Sequence, residues 1–555
     1  MDATELRGIP VSPGRAAGPA AWMVGPQPAP PPLPLAVPAD EASSEIAAAA
    51  AAVRSDLLTR AERQAGAARE VLEMTATVAV DPALLRSASA LMERHNLAPA
   101  PAVWQAAEGI AQSFEEKGGL LAERAADVRD VRNRIVARLT GAPVPGLPER
   151  DVPFVLVAED LSPADTATLD PDRVLALVTA LGGPNSHTAI LARELGLPAV
   201  VALGGSLHRI DDGTTVGVDG AHGTVRIDAV DPADFAPSTG RVPSLAGPGR
   251  TADGHPVALL ANVGDRDSAR AALTAGAEGI GLLRTEALFL EAAEEPDLAA
   301  QVAAYREVMD LFPGRPVVVR TLDAGADQPL RFLHLAPEPN PALGMRGYRV
   351  AGRNPGVLDH QLTAIARAER ESGADVAVMA PMVSTVAEAE EFVARAHAAG
   401  LPRAGVLIEV PAAALHAGAI LARAAFASIG TNDLTQYTLA ADRTVGQLAR
   451  LADSWDPAVL RLVESTCLAG AQQGRPVGVS GEAAADPALA VVLVGLGVSS
   501  LSMAPRALGP VGAVLGRTTL SECRRLAGLA LACEGPADAR ATVRAGLGAL
   551  DDLGL

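Results

Sequence analysis

Residues 404–411 read AGVLIEVP and residues 426–433 read FASIGTND. Each is a short apolar run that stops on polar groups: Glu409 in the first, Asn432 and Asp433 in the second. An unpaired carboxylate is costly to bury, so Glu409 inside LIEVP points to a bound cation more than to packing. Outward from these two runs the same pattern recurs. PVALLANV (256–263), GIGLLRTE (279–286) and PVVVRTLD (316–323) precede them, followed by VAVMAPMV (376–383). PVGVSGE (476–482) and SSLSMAP (499–505) come after. Helical patterns fill the intervals. Eight strand candidates alternating with helices is the number a (β/α)8 TIM-type barrel requires, and in such barrels the active site gathers at the carboxyl ends of the strands. Most of these runs end in charged or polar groups: Arg284, Arg320, Glu409, Asn432 with Asp433, and Ser480.

The chain has 555 residues, too many for one core. Its formal charge of −19 speaks for solubility and against a nucleic-acid partner, whose phosphates demand a basic surface. No apolar run has the length of a membrane span, so no membrane insertion is expected. MDATELRGIPVSPG at the start lacks the basic-then-apolar order of a signal peptide. Three scattered cysteines suit a reducing cytoplasm, and cytoplasmic localisation is expected.

Before the barrel the rhythm differs. Residues 26–39 are a proline-rich connector, and the chain from about Glu41 to Leu139 is alanine-rich with apolar spacings of three and four, which predicts a helical module. Between 152 and 228, PFVLVAED, RVLALVTA, LPAVVAL and TTVGVDG predict strands of an α/β domain. GIPVSPG (8–14) reads as a further strand, so the helical module is expected as an insertion. The expected domains are 1–25 with 143–228 for the α/β part and 38–142 for the insertion. A Pro-, Gly- and Ser-rich linker covers 229–250, and the barrel covers 251–540. The fold class is therefore multidomain α/β.

The charges expected at the barrel mouth describe a ligand. Arg284 and Arg320 end strands, Arg346 follows in NPALGMRGYR, and Arg443 closes TNDLTQYTLAADR. Guanidinium groups grip phosphate and carboxylate oxygens bidentately. Glu409 and Asp433 end neighbouring strands and could share one Mg²⁺ whose shell the ligand completes. Any single arginine could instead be a surface charge or structural ion pair, and Asp433 could cap the helix after it. Together they describe a small ligand carrying phosphate and carboxylate, and phosphoenolpyruvate fits.

GGPNSHTAILAR (182–193) places His187 where a loop becomes a helix. First-turn N–H groups favour an anion and keep the imidazole neutral and nucleophilic. His187 then either takes a phosphoryl group or merely caps the helix. A histidine that swivels between a barrel and an acceptor accounts for both halves of the chain.

From GIPVSPG to LACEGPADAR the chain resembles the Enzyme I family of the bacterial sugar phosphotransferase system, the phosphoenolpyruvate–protein phosphotransferases. GGPNSHTAILAR is similar to the family's phosphohistidine signature and IGTNDLTQYTLAADR to its barrel signature. GLLRTE, VVVRTLD, NPALGMR and LIEVPAA agree in order. The resemblance implies that His187 is phosphorylated, that Arg284, Arg320, Arg346, Asn432 and Arg443 bind phosphoenolpyruvate, and that Glu409 and Asp433 bind Mg²⁺. It also implies a swivelling α/β phosphohistidine domain, docking of the phosphocarrier HPr on the helical insertion and a homodimer through the barrel. Departures are Asn185 where Thr is usual, Ala326 and Gln328 where Gly and Lys are usual, and Asp456 where His is common. Ser480 stands at the position of the family's proton-donating cysteine. The rival expectations are a dikinase or synthase, for which no segment remains to bind nucleotide, and a divergent or non-catalytic phosphoenolpyruvate-sensing paralogue.

Overall fold

The structure, a computed structural model, describes residues 4–555 except 13, 26–27, 63–66, 118, 149, 151, 162–168, 171, 184–186, 236–244, 246, 291, 293, 326–329, 334, 337, 339, 443–447, 449–450 and 554. The chain divides into two compact units, Met1–Pro237 and Ser238–Leu555.

The first unit is built on a sheet of eight strands that draws from both sides of the helical segment. β1 (Glu5–Arg7), β2 (Ile9–Ser12) and β3 (Arg15–Trp22) precede it; β4 (Phe154–Ala158), β5 (Val174–Thr179), β6 (Ala199–Val201), β7 (Thr215–Asp219) and β8 (Thr224–Arg226) follow it. The spatial order is β1-β8-β7-β3-β4-β5-β6-β2. β3 to β6 run parallel, and the outer pairs are antiparallel. β4 is buried along its whole length, as a strand covered on both faces must be.

Five helices, Ala39–Ala61, Ala67–Ala79, Pro82–His95, Pro99–Lys117 and Gly119–Thr140, form the inserted module. In the first of them Ala42, Ile46, Ala50, Val53, Leu57 and Ala61 are buried, spaced by three or four so that they share one face. Alanine dominates the contact surface, which lets helices pack closely with few aromatics. Arg132, itself buried, lies 3.6 Å over the Trp104 ring and pairs with Glu108, so the charge in this core is stacked and neutralised.

The second unit holds a closed barrel of eight parallel strands. They are β9 (Ala258–Val263), β10 (Ile280–Leu283), β11 (Pro316–Arg320), β12 (Asp375–Ala380), β13 (Ala404–Ile408), β14 (Ala427–Gly430), β15 (Val477–Ser480) and β16 (Ser500–Met503). All eight runs read from the sequence are strands. Alternation along each strand sorts residues by side. Val406, Ile408, Ala427, Ile429, Val477, Val479, Leu501 and Met503 join the core between strands and helices. Their neighbours turn into the barrel, where Leu282, Met379 and Leu407 make a small apolar plug. Above that plug the inward positions become polar, and the site is built there.

Two apolar residues within the expected linker, 229–250, are packed. Phe235 is buried, sits where a side chain on Gly217 would stand, and lies under Arg226. Leu245 packs against the barrel core beside Gly276 and Gly512. One apolar residue near each end anchors what composition alone marks as free. Residues 236–244 between them lie outside the described residues.

Candidate active site

β13 carries Ile408 outward to the core, so the next residue, Glu409, turns inward at the carboxyl end. Its side chain is 1% exposed. Oε1 accepts the Met382 backbone N–H at 2.6 Å. A Cβ on Gly430, the last residue of β14, would come within 2.7 Å of Glu409 Oε2; glycine leaves the room this carboxylate occupies. Asp433 lies in the first turn of helix Thr431–Leu439 and is buried. It does not cap that helix, whose N-cap is Gly430. Instead Asp433 Oδ1 accepts from Arg346 Nη1 at 2.8 Å.

Arg346 is almost wholly buried. Its Nη2 pairs with Asp323 Oδ2 at 3.3 Å, and Nη1 also reaches the Tyr437 hydroxyl at 3.3 Å. Tyr437 in turn donates to the Ala342 carbonyl, tying the helix to the loop that delivers Arg346. Arg320 ends β11. Nη2 meets Glu286 Oε2 at 3.1 Å and Nη1 meets Asp323 Oδ2 at 3.1 Å. Glu286 Oε1 accepts the Asp323 backbone N–H at 3.0 Å, which locks the two anchors together. Thr285 Oγ1 donates to the Arg320 carbonyl, and Gln361 Nε2 donates to both Thr285 Oγ1 and the Tyr305 hydroxyl. This outer ring holds the rotamers of the inner one. Arg320 Nε is buried and has no partner among the described residues, a donor left over for a ligand.

The electrostatics follow from the inventory. Glu286, Asp323, Glu409 and Asp433, all buried, face the two guanidiniums of Arg320 and Arg346. Burial, with Asp433 and Asp323 adding to it, pushes the Glu409 carboxyl well above the usual range, Arg320 opposing. Burial works against the Arg320 charge, but Glu286, Asp323 and Glu409 outweigh it and hold the guanidinium more firmly protonated than usual. Carboxylates in excess inside a closed barrel are the condition a divalent cation relieves. No group of three or more His, Cys, Asp or Glu side chains among the described residues could hold a metal alone. Glu409 and Asp433 are two oxygen donors, the number Mg²⁺ uses when substrate oxygens complete its shell. The donor set fits.

Arg284 follows β10 directly, and its side chain is exposed where a ligand can reach it. Asn432 is partly buried; its Oδ1 accepts the Glu482 N–H at 3.4 Å. Ser480 ends β15, buried, beneath Gly481 at φ +115°. Asp456, one of the departures, N-caps helix Pro457–Gln473 by accepting from Ala458 N at 2.8 Å. His187 is the first residue of helix His187–Leu195 in the other unit. The next residue, Thr188, is fully buried and donates to Asp160 Oδ1 at 3.4 Å, fastening the helix start to the end of β4. The side chain of His187, and Asn185, Ala326, Gln328 and Arg443, lie outside the described residues.

The barrel therefore brings together Arg320, Arg346, Glu409, Asp433, Asn432 and Ser480. Sequence reasoning missed Glu286, Asp323 and Tyr437. Their signal was present in GLLRTE, VVVRTLD and TNDLTQY, where each follows a site residue within two to four positions.

Residues 245–519 match the PEP-utilising enzyme family's PEP-binding domain, residues 151–223 its mobile domain and residues 7–124 its N-terminal domain. A phosphoenolpyruvate-protein phosphotransferase of Streptomyces coelicolor is 47% identical over 553 residues, covering 98% of this chain and 99% of that protein. One from Haloferax volcanii is 41% identical over 430 residues, covering 75% of this chain and 76% of the relative. A solution structure of an Enzyme I protein (nEIt) is 30% identical, covers 41% of this chain and 96% of that one, and superposes with a TM-score of 0.37. No helix among the described residues is long and apolar enough to cross a membrane. Likeness along the length of both chains makes this protein a PEP-utilising enzyme, a member of the phosphoenolpyruvate-protein phosphotransferase family.

Proposed function

We propose that this enzyme transfers the phosphoryl group of phosphoenolpyruvate to His187 and then to the phosphocarrier HPr, the first step of the sugar phosphotransferase system. The observation that carries the reading is the buried cluster at the barrel mouth, with two guanidiniums among four buried carboxylates and an Arg320 Nε that has no partner among the described residues. Arg320 and Arg346 are pre-oriented by Glu286 and Asp323, so little rotamer freedom is lost when substrate arrives. Arg284, Asn432 and Arg443 complete the grip on phosphate and carboxylate. Mg²⁺ held by Glu409 and Asp433 would supply positive charge against the substrate's oxygens. His187 attacks phosphorus from the N-terminus of its helix, where first-turn N–H groups stabilise the phosphate it carries away. Ser480 stands where the enolate left behind must be protonated.

The same reading assigns HPr docking to the helical module, homodimerisation to the barrel and the cytoplasm as the compartment. Equilibrium binding tests the division of labour. With Mg²⁺ present, H187A should bind phosphoenolpyruvate as wild type does and accept no label from it. R320A should lose binding and labelling together. Label in H187A, or undiminished binding in R320A, would overturn the assignment.

A further inference from the structure

We propose that Ser428, which no sequence motif singled out, positions the Ser480 hydroxyl and feeds it the proton that turns enolpyruvate into pyruvate. The inference rests on the function proposed above and deepens it at one step.

Register places both serines in the site. Ile408 pairs with Ile429, Gly430 pairs with Ser480, and Ser480 pairs with Ser502. Glu409, one residue beyond Ile408, therefore lies beside Gly430, whose partner in the register is Ser480. Ser428 is two residues before Gly430 on β14, so it faces the same interior. Val477, Val479, Ala427 and Ile429 take the opposite side, in the outer core.

Hydrogen bonding gives the pair a direction. Ser428 Oγ donates to Ser480 Oγ at 3.3 Å, and both residues are buried. A serine hydroxyl has one proton to give and two lone pairs to accept with. Because Ser480 accepts from Ser428, its own proton is free to point at a ligand, and it has no acceptor among the described residues. The backbone around it is held as well. Thr431 Oγ1 donates to the Ser480 carbonyl at 3.3 Å. Gly481 passes so close to Asn432 that a Cβ would meet Oδ1 at 3.2 Å. Ser502, the other neighbour, is committed elsewhere, donating to Asn262 Oδ1 at 2.6 Å. Among the described residues, Ser428 is the hydroxyl left to supply Ser480.

The step balances as a relay. After the phosphoryl group departs, C3 of the enolate takes the Ser480 Oγ proton while the C2–O bond becomes the carbonyl of pyruvate. Ser480 Oγ takes the Ser428 proton, and Ser428 is reprotonated by hydronium from solvent. Serine is too weak an acid to donate alone at neutral pH, so a chain that renews its proton as it leaves is what this position requires. Ser428 is a positioning residue, since it acts through Ser480.

Deuterium washout from methyl-deuterated pyruvate tests this. The full chain is incubated with Mg²⁺, phosphoenolpyruvate and the deuterated pyruvate, and washout is divided by the single-turnover rate of His187 phosphorylation. S428A should lower that ratio about tenfold, the rate equivalent of one net hydrogen bond. S428T, which keeps a hydroxyl, should restore most of it. S480A should fall at least as far, and the S428A/S480A double variant no further than S480A, because the two act as one unit. An unchanged ratio in S428A, failure of S428T to recover, or a double variant that falls by the product of the singles would overturn the inference while phosphorylation stands. Wild type that takes no phosphate at all would instead overturn the underlying function, and the relay with it.

Discussion

Exchanging Glu409 for glutamine, E409Q, should stabilise the empty barrel and disable the loaded one. Glu409 lies buried with Asp433 and Asp323 close enough to oppose its ionisation. Glutamine keeps the shape and an oxygen for the Met382 N–H, now at 2.6 Å, while removing one charge. Relief of this kind at an active site is worth about 1–2 kcal/mol. For a unit the size of Ser238–Leu555 that is a rise of roughly 1.5–3 °C in melting temperature. Ligand shifts the balance the other way. Wild type with saturating Mg²⁺ and phosphoenolpyruvate at a hundred times its dissociation constant gains about 2.7 kcal/mol from that substrate, roughly 4 °C, and the variant gains almost nothing. The two melting curves should thus change order: variant above wild type in chelator, below it with ligands. Circular dichroism melts of both proteins under both conditions read this directly. A variant less stable than wild type in chelator would refute the claim of carboxylate crowding, and an equal ligand shift in both would refute Glu409 as a ligand.

Three further perturbations reach other parts of the molecule. G430A pushes a methyl group to within 2.7 Å of Glu409 Oε2, so barrel stability should drop by about 1–3 kcal/mol and phosphorylation should fall with it; a neutral substitution in urea melts and labelling would show that the carboxylate has other room. Asp219 accepts the N–H groups of Ala221 and His222 and pairs with Arg15 and the His222 ring. Burial alone would raise its carboxyl, but His222 and Arg15 outweigh that and hold it well below the usual range. Its folded value lies under its unfolded one, so the stability it contributes is present above about pH 4 and is lost as pH falls further. D219N should therefore cost about 2 kcal/mol at pH 7 in urea unfolding of the first unit, with the gap closing in acid; a gap independent of pH would contradict this. Burial pushes the Cys467 and Cys523 thiols up to about 12, whereas Cys533 is partly exposed. Ellman's reagent should find one fast thiol per chain, and C533S should leave none.

The barrel was legible because its evidence is local. Each strand is an apolar run of four to six residues, most of them stop on a polar group, and eight such runs alternating with helices leave little choice of fold. The inward carboxylate of Glu409 was legible for the same reason: alternation puts it on the side opposite Ile408. The sources of support were not. Asp323 serves two arginines that lie 3 and 23 residues along the chain, and the spacing records no preference for either. Tyr437 belongs to a signature read for its Asn and Asp, yet its hydroxyl spans 95 residues to the Ala342 carbonyl. Ser428 and Ser480 meet only because β14 and β15 pair in one register. Composition was also silent on Phe235 and Leu245, since proline and glycine surround them without showing that each has a slot to fill.

The central claim is that phosphate from phosphoenolpyruvate comes to rest on His187. Wild-type protein incubated with phosphoenolpyruvate labelled in its phosphate and with Mg²⁺, without any carrier, measures this in one experiment. The account predicts one label per chain, labile in acid and stable in alkali, mapping to the peptide of helix His187–Leu195, with one pyruvate released for each label bound. Label on any other residue, an acid-stable phosphoprotein, or pyruvate formed without label on the chain would contradict it.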